Sequence, residues 1–366
     1  MAIKQLHVEG YRSVKDIWLK LQRVNVLVGP NGCGKSNLYR AMYLIAAAAS
    51  GQFARLLAEE GGMPSVLWAG DRSKGPVRLT LSVKLENIAY KLSVGLPELS
   101  ELTPFLLDPR IKEEQIEFIR EKSRTVLLKR GKSSIDARDT EGKKLFFAMA
   151  LTESESVLSG LREPHRFPEI AALRQEFLNW RFYHQFRTDS QSPLRQPQTG
   201  VLTPVLAHDG SDLAAALLTI SATGKAALLE EAIDSAFPGA KLSLRNQNGQ
   251  LSVGMHMAGF ARPFEARELS DGTLQYLCLL AALLSFRPPS LIALNEPETS
   301  IHPDLFEPLA KLVAKAAADS QLWITTHSRD LADLILEHTG VAPIELDKVK
   351  GETIIVGAKL SEENNS

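Results

Sequence analysis

The stretch Gly29-Pro30-Asn31-Gly32-Cys33-Gly34-Lys35-Ser36 follows an apolar run at Val24, Val26, Leu27 and Val28. It precedes an Ala/Leu-rich segment, residues 37–49, that contains no Gly or Pro. Buried strand, Gly-rich loop and helix in that order form the phosphate-loop pattern G-x-x-x-x-G-K-[ST]. Glycines let successive backbone N–H groups turn inward on phosphate oxygens, and the positive end of the following helix points at the same place. Lys35 is expected to reach the β- and γ-phosphates and to contact no core group. Ser36 offers a hydroxyl to Mg²⁺, an ion that prefers oxygen ligands and keeps several waters. Gly29, Pro30, Asn31, Gly32, Cys33, Gly34 and Asn37 complete the candidate nucleotide-binding segment. A Gly-rich turn that binds nothing is the bland alternative, and the complete pattern in its strand-to-helix setting favours nucleotide binding.

The chain has 366 residues, 44% hydrophobic and 23% charged, which suits a folded protein with two lobes or an insertion. Lys plus Arg number 42 against 43 for Asp plus Glu, so any nucleic-acid contact must come from a local patch. Cys33 and Cys278 match neither metal-ligand nor disulfide spacing, which fits a reducing, cytoplasmic setting. The apolar run at residues 274–286 is too short to span a bilayer and the first residues lack a signal-peptide pattern, so neither anchor nor address is expected.

Residues 3–8 and 14–21 read as a strand pair around Gly10-Tyr11-Arg12-Ser13, and residues 77–85 with 88–94 read as a second hairpin. From about residue 97 to 200 prolines and mixed charge suggest an insertion. Ile111, Ile116 and Ile119 predict a surface helix there, and residues 170–178 another. Between residues 101 and 150, 11 basic residues face 9 acidic ones, most simply a solvated face. Residues 180–187 interleave aromatic and basic side chains; a partly buried strand is favoured over base stacking because positions 180, 182 and 186 share a parity. Residues 242–253 read as a hairpin around Asn248-Gly249. After residue 269, strands and helices alternate, which predicts a parallel sheet.

Three further elements accompany the phosphate loop. Glu268-Leu269-Ser270-Asp271-Gly272-Thr273 precedes a helix, Leu291-Ile292-Ala293-Leu294-Asn295-Glu296-Pro297-Glu298 ends a strand in carboxylates, and Trp323-Ile324-Thr325-Thr326-His327-Ser328 ends another in a histidine. Singly, Ser270 could be a helix cap, His327 a satisfied strand-end histidine, and Glu296 and Glu298 N-terminal helix charges.

In this order the set resembles the ATP-binding cassette ATPases, and within them the RecF/SMC-like branch, AAA-type ABC ATPases of DNA repair, chromosome maintenance and phage defence. The opening residues 3–13, the run from Asn295 to Pro303 and the segment His208-Asp209-Gly210-Ser211-Asp212-Leu213 are similar to that branch. The resemblance covers about residues 1–95 and 200–340. It implies an α/β fold: an ABC-type P-loop NTPase head with an N-terminal antiparallel β portion and a mostly helical insertion. The head would comprise residues 1–95 and 200–366, and the insertion or lid residues 96–199. It implies ATP and Mg²⁺ as ligands, with Ser270, Asp271 and Gly272 as the signature motif, Glu296 as the catalytic glutamate and His327 as the switch histidine on the γ-phosphate. Arg12 would touch nucleotide, and Glu298 and His302 would meet a partner subunit. Where the family commonly has a metal-directed Asp this chain has Asn295, which keeps the oxygen acceptor without the charge. Cys33 beside the phosphate site is a candidate for alkylation.

Because the signature motif serves the other subunit's nucleotide, the resemblance implies a head-to-head homodimer with composite ATP sites, acting on DNA. A separate nuclease or effector protein would do any cutting, since residues 341–366 are too few for a nuclease. The competing readings are an ATP-sensing regulatory scaffold with little turnover and a transporter's nucleotide-binding subunit. The latter usually lacks the RecF-like opening hairpin.

Overall fold

All five residues of the strand Val24–Val28 are buried, the polar Asn25 included, whose Nδ2 donates to Leu322 O on the parallel neighbour Gln321–Thr326 at 3.1 Å. The computed structural model describes residues 1–71, 73, 75–97, 104–120, 123–131, 134–147 and 151–357. Its contacts group into two units: residues 1–22, 29–180 and 344–366, and residues 23–28 with 181–343. The chain therefore enters the second unit for one strand and leaves it directly into the phosphate loop.

In the first unit an antiparallel sheet runs, among the described residues, in the order Val14–Lys20, Gln5–Tyr11, Leu79–Lys84, Ile88–Gly95, Arg110–Arg120, Ser123–Arg130, Ile135–Arg138 and Lys144–Phe147. The phosphate-loop helix Lys35–Ser50 buries Leu38, Met42, Leu44 and Ile45 and packs against the helix Pro168–Leu178. Gly51 ends it in the left-handed conformation, its N–H returning to the Ala47 carbonyl.

The predicted helix through Ile111, Ile116 and Ile119 is instead the strand Arg110–Arg120, and the expected mostly helical insertion is largely antiparallel sheet. A register shift at Ser93/Val94 pairs Val94 with Ile111 but Ser93 with Glu113. The extra residue puts Ile111, Glu114 and Ile116 on the buried side at uneven spacing, which mimics a helical period. Rather than forming a lobe of its own, this segment extends the sheet begun by residues 5–20. Parts of the charge run, residues 101–103, 121–122, 132–133 and 148–150, lie outside the described residues.

In the second unit the strands Arg181–Tyr183, Leu291–Asn295, Gln321–Thr326 and Val24–Val28 pair in parallel, with Asn295 opposite Thr325 and Thr326 opposite Val28. Their carboxyl ends therefore lie side by side. Arg23, at the head of the last strand, donates from Nη2 to the Ala318 carbonyl at 2.6 Å, just past the helix Phe306–Ala316, where a cation suits the helix dipole. Phe182, Tyr183 and Phe186 are buried, as is Trp180 at the end of a first-unit segment, and Tyr183 donates its hydroxyl to Leu206 O at 3.0 Å, so these rings are core residues and not a base-stacking surface. Lys241–Gln247 and Gln250–His256 form the expected hairpin, with positive φ at Asn248 and Gly249. Among the described residues one helical run, Leu213–Ala236, is long and apolar enough to cross a membrane by length and composition alone. Non-helical angles at Thr223 and Gly224 divide it, and Leu213, Leu217, Ile220, Leu229 and Ile233 lie in the core.

Candidate functional site

In the first unit Gly34 opens the phosphate-loop helix at φ 111°, a conformation that strains any residue with a Cβ. A Cβ there would also lie 2.1 Å from Thr353 Oγ1, so the strand Glu352–Ile355 sits hard against the loop. Ser13 Oγ lies 2.7 Å from Thr353 Oγ1 and accepts from Asn37 Nδ2 at 2.8 Å. The loop is thus clamped by the opening hairpin and by residues more than 300 positions away, contacts that no local motif reveals.

Lys35 is only 3% exposed, and its Nζ donates to the carbonyls of Gly29 at 2.7 Å and Pro30 at 3.1 Å. The lysine expected to touch phosphate alone also fastens the loop to itself, because a buried ammonium must find acceptors. Cys33 is 1% exposed, which corrects its expected reactivity towards alkylating agents. Arg12 takes φ 50°, unusual for a long side chain, and its Nη2 pairs with Glu60 Oε2 at 2.7 Å. The same carboxylate takes Arg40 Nη1 at 3.0 Å and the Tyr11 hydroxyl at 2.7 Å. Burial first, then the Glu60 charge, push the Tyr11 hydroxyl well above its ordinary pKa, so it remains a donor. Arg12, Arg40, Tyr43 and Glu60 line a cleft of about 400 Å³. Glu60 carried no motif and was not anticipated.

The second unit carries the other predicted residues. Ser270 caps the helix Asp271–Leu283, its hydroxyl accepting from Thr273 N at 3.1 Å, while remaining exposed. Arg195 donates to the carbonyls of Ala266 and Leu269 at 2.9 and 2.8 Å and pairs with Asp271 at 2.7 Å, bracing the turn into Ser270. At Gly272 a Cβ would meet the Ser300 carbonyl at 2.6 Å, so only glycine lets the helix approach the segment that follows Glu298.

Asn295 closes its strand with Oδ1 accepting from Thr325 Oγ1 at 2.9 Å. Glu296 follows at φ 47°, its N–H donating to Thr325 O at 2.8 Å. A glutamate in the left-handed region is strained, and such strain concentrates where a side chain must be aimed. Glu296 Oε2 lies 4.0 Å from His327 Nδ1, and Glu298 Oε1 lies 3.0 Å from the same nitrogen. Glu296, Glu298 and His327 therefore form one cluster at adjacent strand ends. His302 is exposed and caps a short turn, pairing with Asp304 at 3.2 Å.

A family model, AAA_21, described as an AAA domain with a suggested link to the AbiEii toxin of a type IV TA system, matches residues 24–333. The chain belongs to this AAA family. The match takes in the AAA chain's phosphate loop, Ser270, Glu296 and His327, while Arg12 precedes it. Among solved structures, the AAA chain is similar to an SMC head bound to the C-terminal winged-helix domain of ScpA, with TM-score 0.53 and 14% identity over 98% of this chain and 99% of that one. It is also similar to an SMC head domain with an extended coiled coil from Pyrococcus furiosus, bound to the C-terminal domain of ScpA, with TM-score 0.53 and 14% identity over 97% and 95%. An SMC head with coiled coil and joint from Pyrococcus yayanosii gives 0.53 and 10% over 98% and 97%. At these identities the likeness shows the fold alone, that of an SMC head. No match is found among curated proteins.

Proposed function

We propose that this AAA-family chain binds ATP with Mg²⁺ and hydrolyses it, closing head to head on a second copy when ATP is bound. The observation that carries the reading is the strand-end cluster, in which a strained Glu296 stands 4.0 Å from His327 at the end of a buried parallel strand. The backbone of Gly29 to Ser36 and Lys35 would hold the phosphates. Glu296 would orient or deprotonate the attacking water, the task that phosphoryl transfer leaves to a side chain. His327 would hydrogen-bond the γ-phosphate.

The donor set suits Mg²⁺ held mainly by phosphates and water. The Ser36 hydroxyl and the Asn295 amide oxygen would be neutral ligands, and no group of three His, Cys, Asp or Glu side chains that could hold a metal occurs among the described residues. Bound there, the ion would neutralise charge on the transferring phosphoryl group. The exposed position of Ser270 supports composite sites in which each signature turn meets the partner's nucleotide. DNA is the favoured object of the switch, in repair, chromosome maintenance or phage defence, and a separate effector protein would supply any further chemistry. The neutral Asn295 favours a second reading, an ATP-gated scaffold with little turnover.

The test is turnover of wild type and Glu296→Gln, with and without single- and double-stranded DNA at several salt concentrations. Glu296→Gln should retain ATP binding and accumulate dimer in light scattering while losing about 10²- to 10⁴-fold in rate. Absence of both turnover and ATP-dependent dimer in wild type would overturn the reading. Dimerisation without turnover would favour the scaffold.

A further inference from the structure

Glu298 lies two residues beyond Glu296, yet its surroundings are the opposite. It is 6% exposed. Its Oε1 accepts from Thr326 Oγ1 at 2.6 Å and from the His327 backbone N–H at 2.8 Å, and lies 3.0 Å from His327 Nδ1. Its Oε2 is buried with no hydrogen-bond partner among the described residues. Glu296, by contrast, keeps its side chain 31% exposed and stands beyond hydrogen-bonding distance of the ring.

With two donors already on Oε1, a proton there has no room, and the third neighbour must also donate. Nδ1 of His327 therefore carries a hydrogen, and the tautomer is set by a group outside the ring. In a neutral ring, Nε2 would then hold only a lone pair, which repels a phosphate oxygen. A phosphate oxygen can only accept, so the nitrogen that meets it must carry a hydrogen, and Nε2 is the ring nitrogen that Glu298 leaves open to such an acceptor.

We propose that Glu298 is a positioning residue for His327, fixing the orientation and the Nδ1–H of its ring so that Nε2 is the nitrogen presented to a phosphate oxygen. The proposal deepens the ATPase reading and rests on it for the identity of the phosphate. It divides the pair of glutamates: Glu298 holds the histidine, and Glu296 is left free for water.

The test uses the full chain with ¹⁵N-labelled histidine, the His327 signals being assigned by their loss in His327→Asn. Wild type should show a protonated Nδ1. Glu298→Gln should keep it, because the amide oxygen still accepts, and Glu298→Ala should give the averaged tautomer signals of a free imidazole. In turnover, Glu298→Ala should lower kcat about 10–100-fold with KM little changed, the scale typical of partners that orient a working side chain, and Glu298→Gln should recover most of that loss. A wild-type ring unprotonated at Nδ1 overturns the proposal whether or not any variant folds. So does a folded Glu298→Ala with unaltered His327 signals or with wild-type kcat. Should the signals behave as expected while wild type shows no turnover, the ATPase reading fails and the positioning of His327 stands.

Discussion

Replacing Lys35 with methionine separates the two tasks that the structure gives this side chain. Its Nζ spends donors on the Gly29 and Pro30 carbonyls at 2.7 and 3.1 Å, and the residue is 3% exposed. Hydrogen bonds to a charged group contribute about 1.5–3 kcal/mol each, but the loop carbonyls can recover water when the lysine goes. A net loss of about 1–3 kcal/mol in stability is therefore expected, a shift of a few degrees in Tm. Nucleotide binding should suffer more. On binding, the ammonium would exchange carbonyl dipoles for phosphate anions, and losing about 3–4 kcal/mol of charge-assisted contact weakens affinity by about 10²- to 10³-fold. Calorimetric titration with ATP-Mg²⁺, read beside thermal melts of the apo protein, separates the two effects. A Lys35→Met chain that melts lower yet binds ATP within about threefold of wild type would refute the phosphate role and leave only the loop clamp.

Ser270→Arg should leave ATP binding by the monomer nearly unchanged but abolish the ATP-dependent dimer in light scattering; a normal dimer would sink the composite-site reading. The lost cap should cost about 1 kcal/mol, too little to unfold the chain. Asn295→Asp keeps an acceptor for Thr325 and adds charge, so it should lower the Mg²⁺ concentration needed for half-maximal turnover and raise or preserve the rate; a higher Mg²⁺ requirement contradicts the metal assignment. Burial lifts the Glu114 carboxyl above its ordinary 4.5, so the folded chain keeps a proton that the unfolded chain releases. Stability should consequently fall as pH rises from 4.5 through the folded-state value, and Glu114→Gln should remove that part of the slope in melts between about pH 4 and 8. An unchanged slope would refute the assignment.

What the sequence revealed was chemistry tied to short range. The phosphate loop, the strand ending at Asn295 and the strand ending at Thr326 announce themselves because a buried run, a special turn and a polar terminus are adjacent in the chain. The strand Arg110–Arg120 was hidden because a bulge shifted its apolar face out of alternation. Its place in the sheet begun by residues 5–20 rests on pairing across strands, which no local pattern encodes. Glu60 is a further case. It follows the helix Phe53–Glu59 as its C-cap residue, with nothing in the local sequence to mark it, and only the fold brings Tyr11, Arg12 and Arg40 to it. The burial of Lys35 was missed for the opposite reason, since the motif supplied a functional partner and concealed the structural ones.

The run Asn295-Glu296-Pro297-Glu298 shows how little residue type decides alone. Its amide is drawn into the sheet by Thr325, its first carboxylate is turned outward by a left-handed backbone, and its second is buried under a histidine. Two carboxylates with different surroundings can take different tasks, and the surroundings here differ in both solvation and partners. Substitutions at the two glutamates should accordingly separate. At Glu296 the loss is of a partly exposed, strained side chain that stands 4.0 Å from His327 Nδ1, beyond hydrogen-bonding distance, so rate should fall while stability holds. At Glu298 the loss strands the Thr326 hydroxyl, the His327 N–H and the imidazole together, so truncation to alanine should lower stability and rate at once.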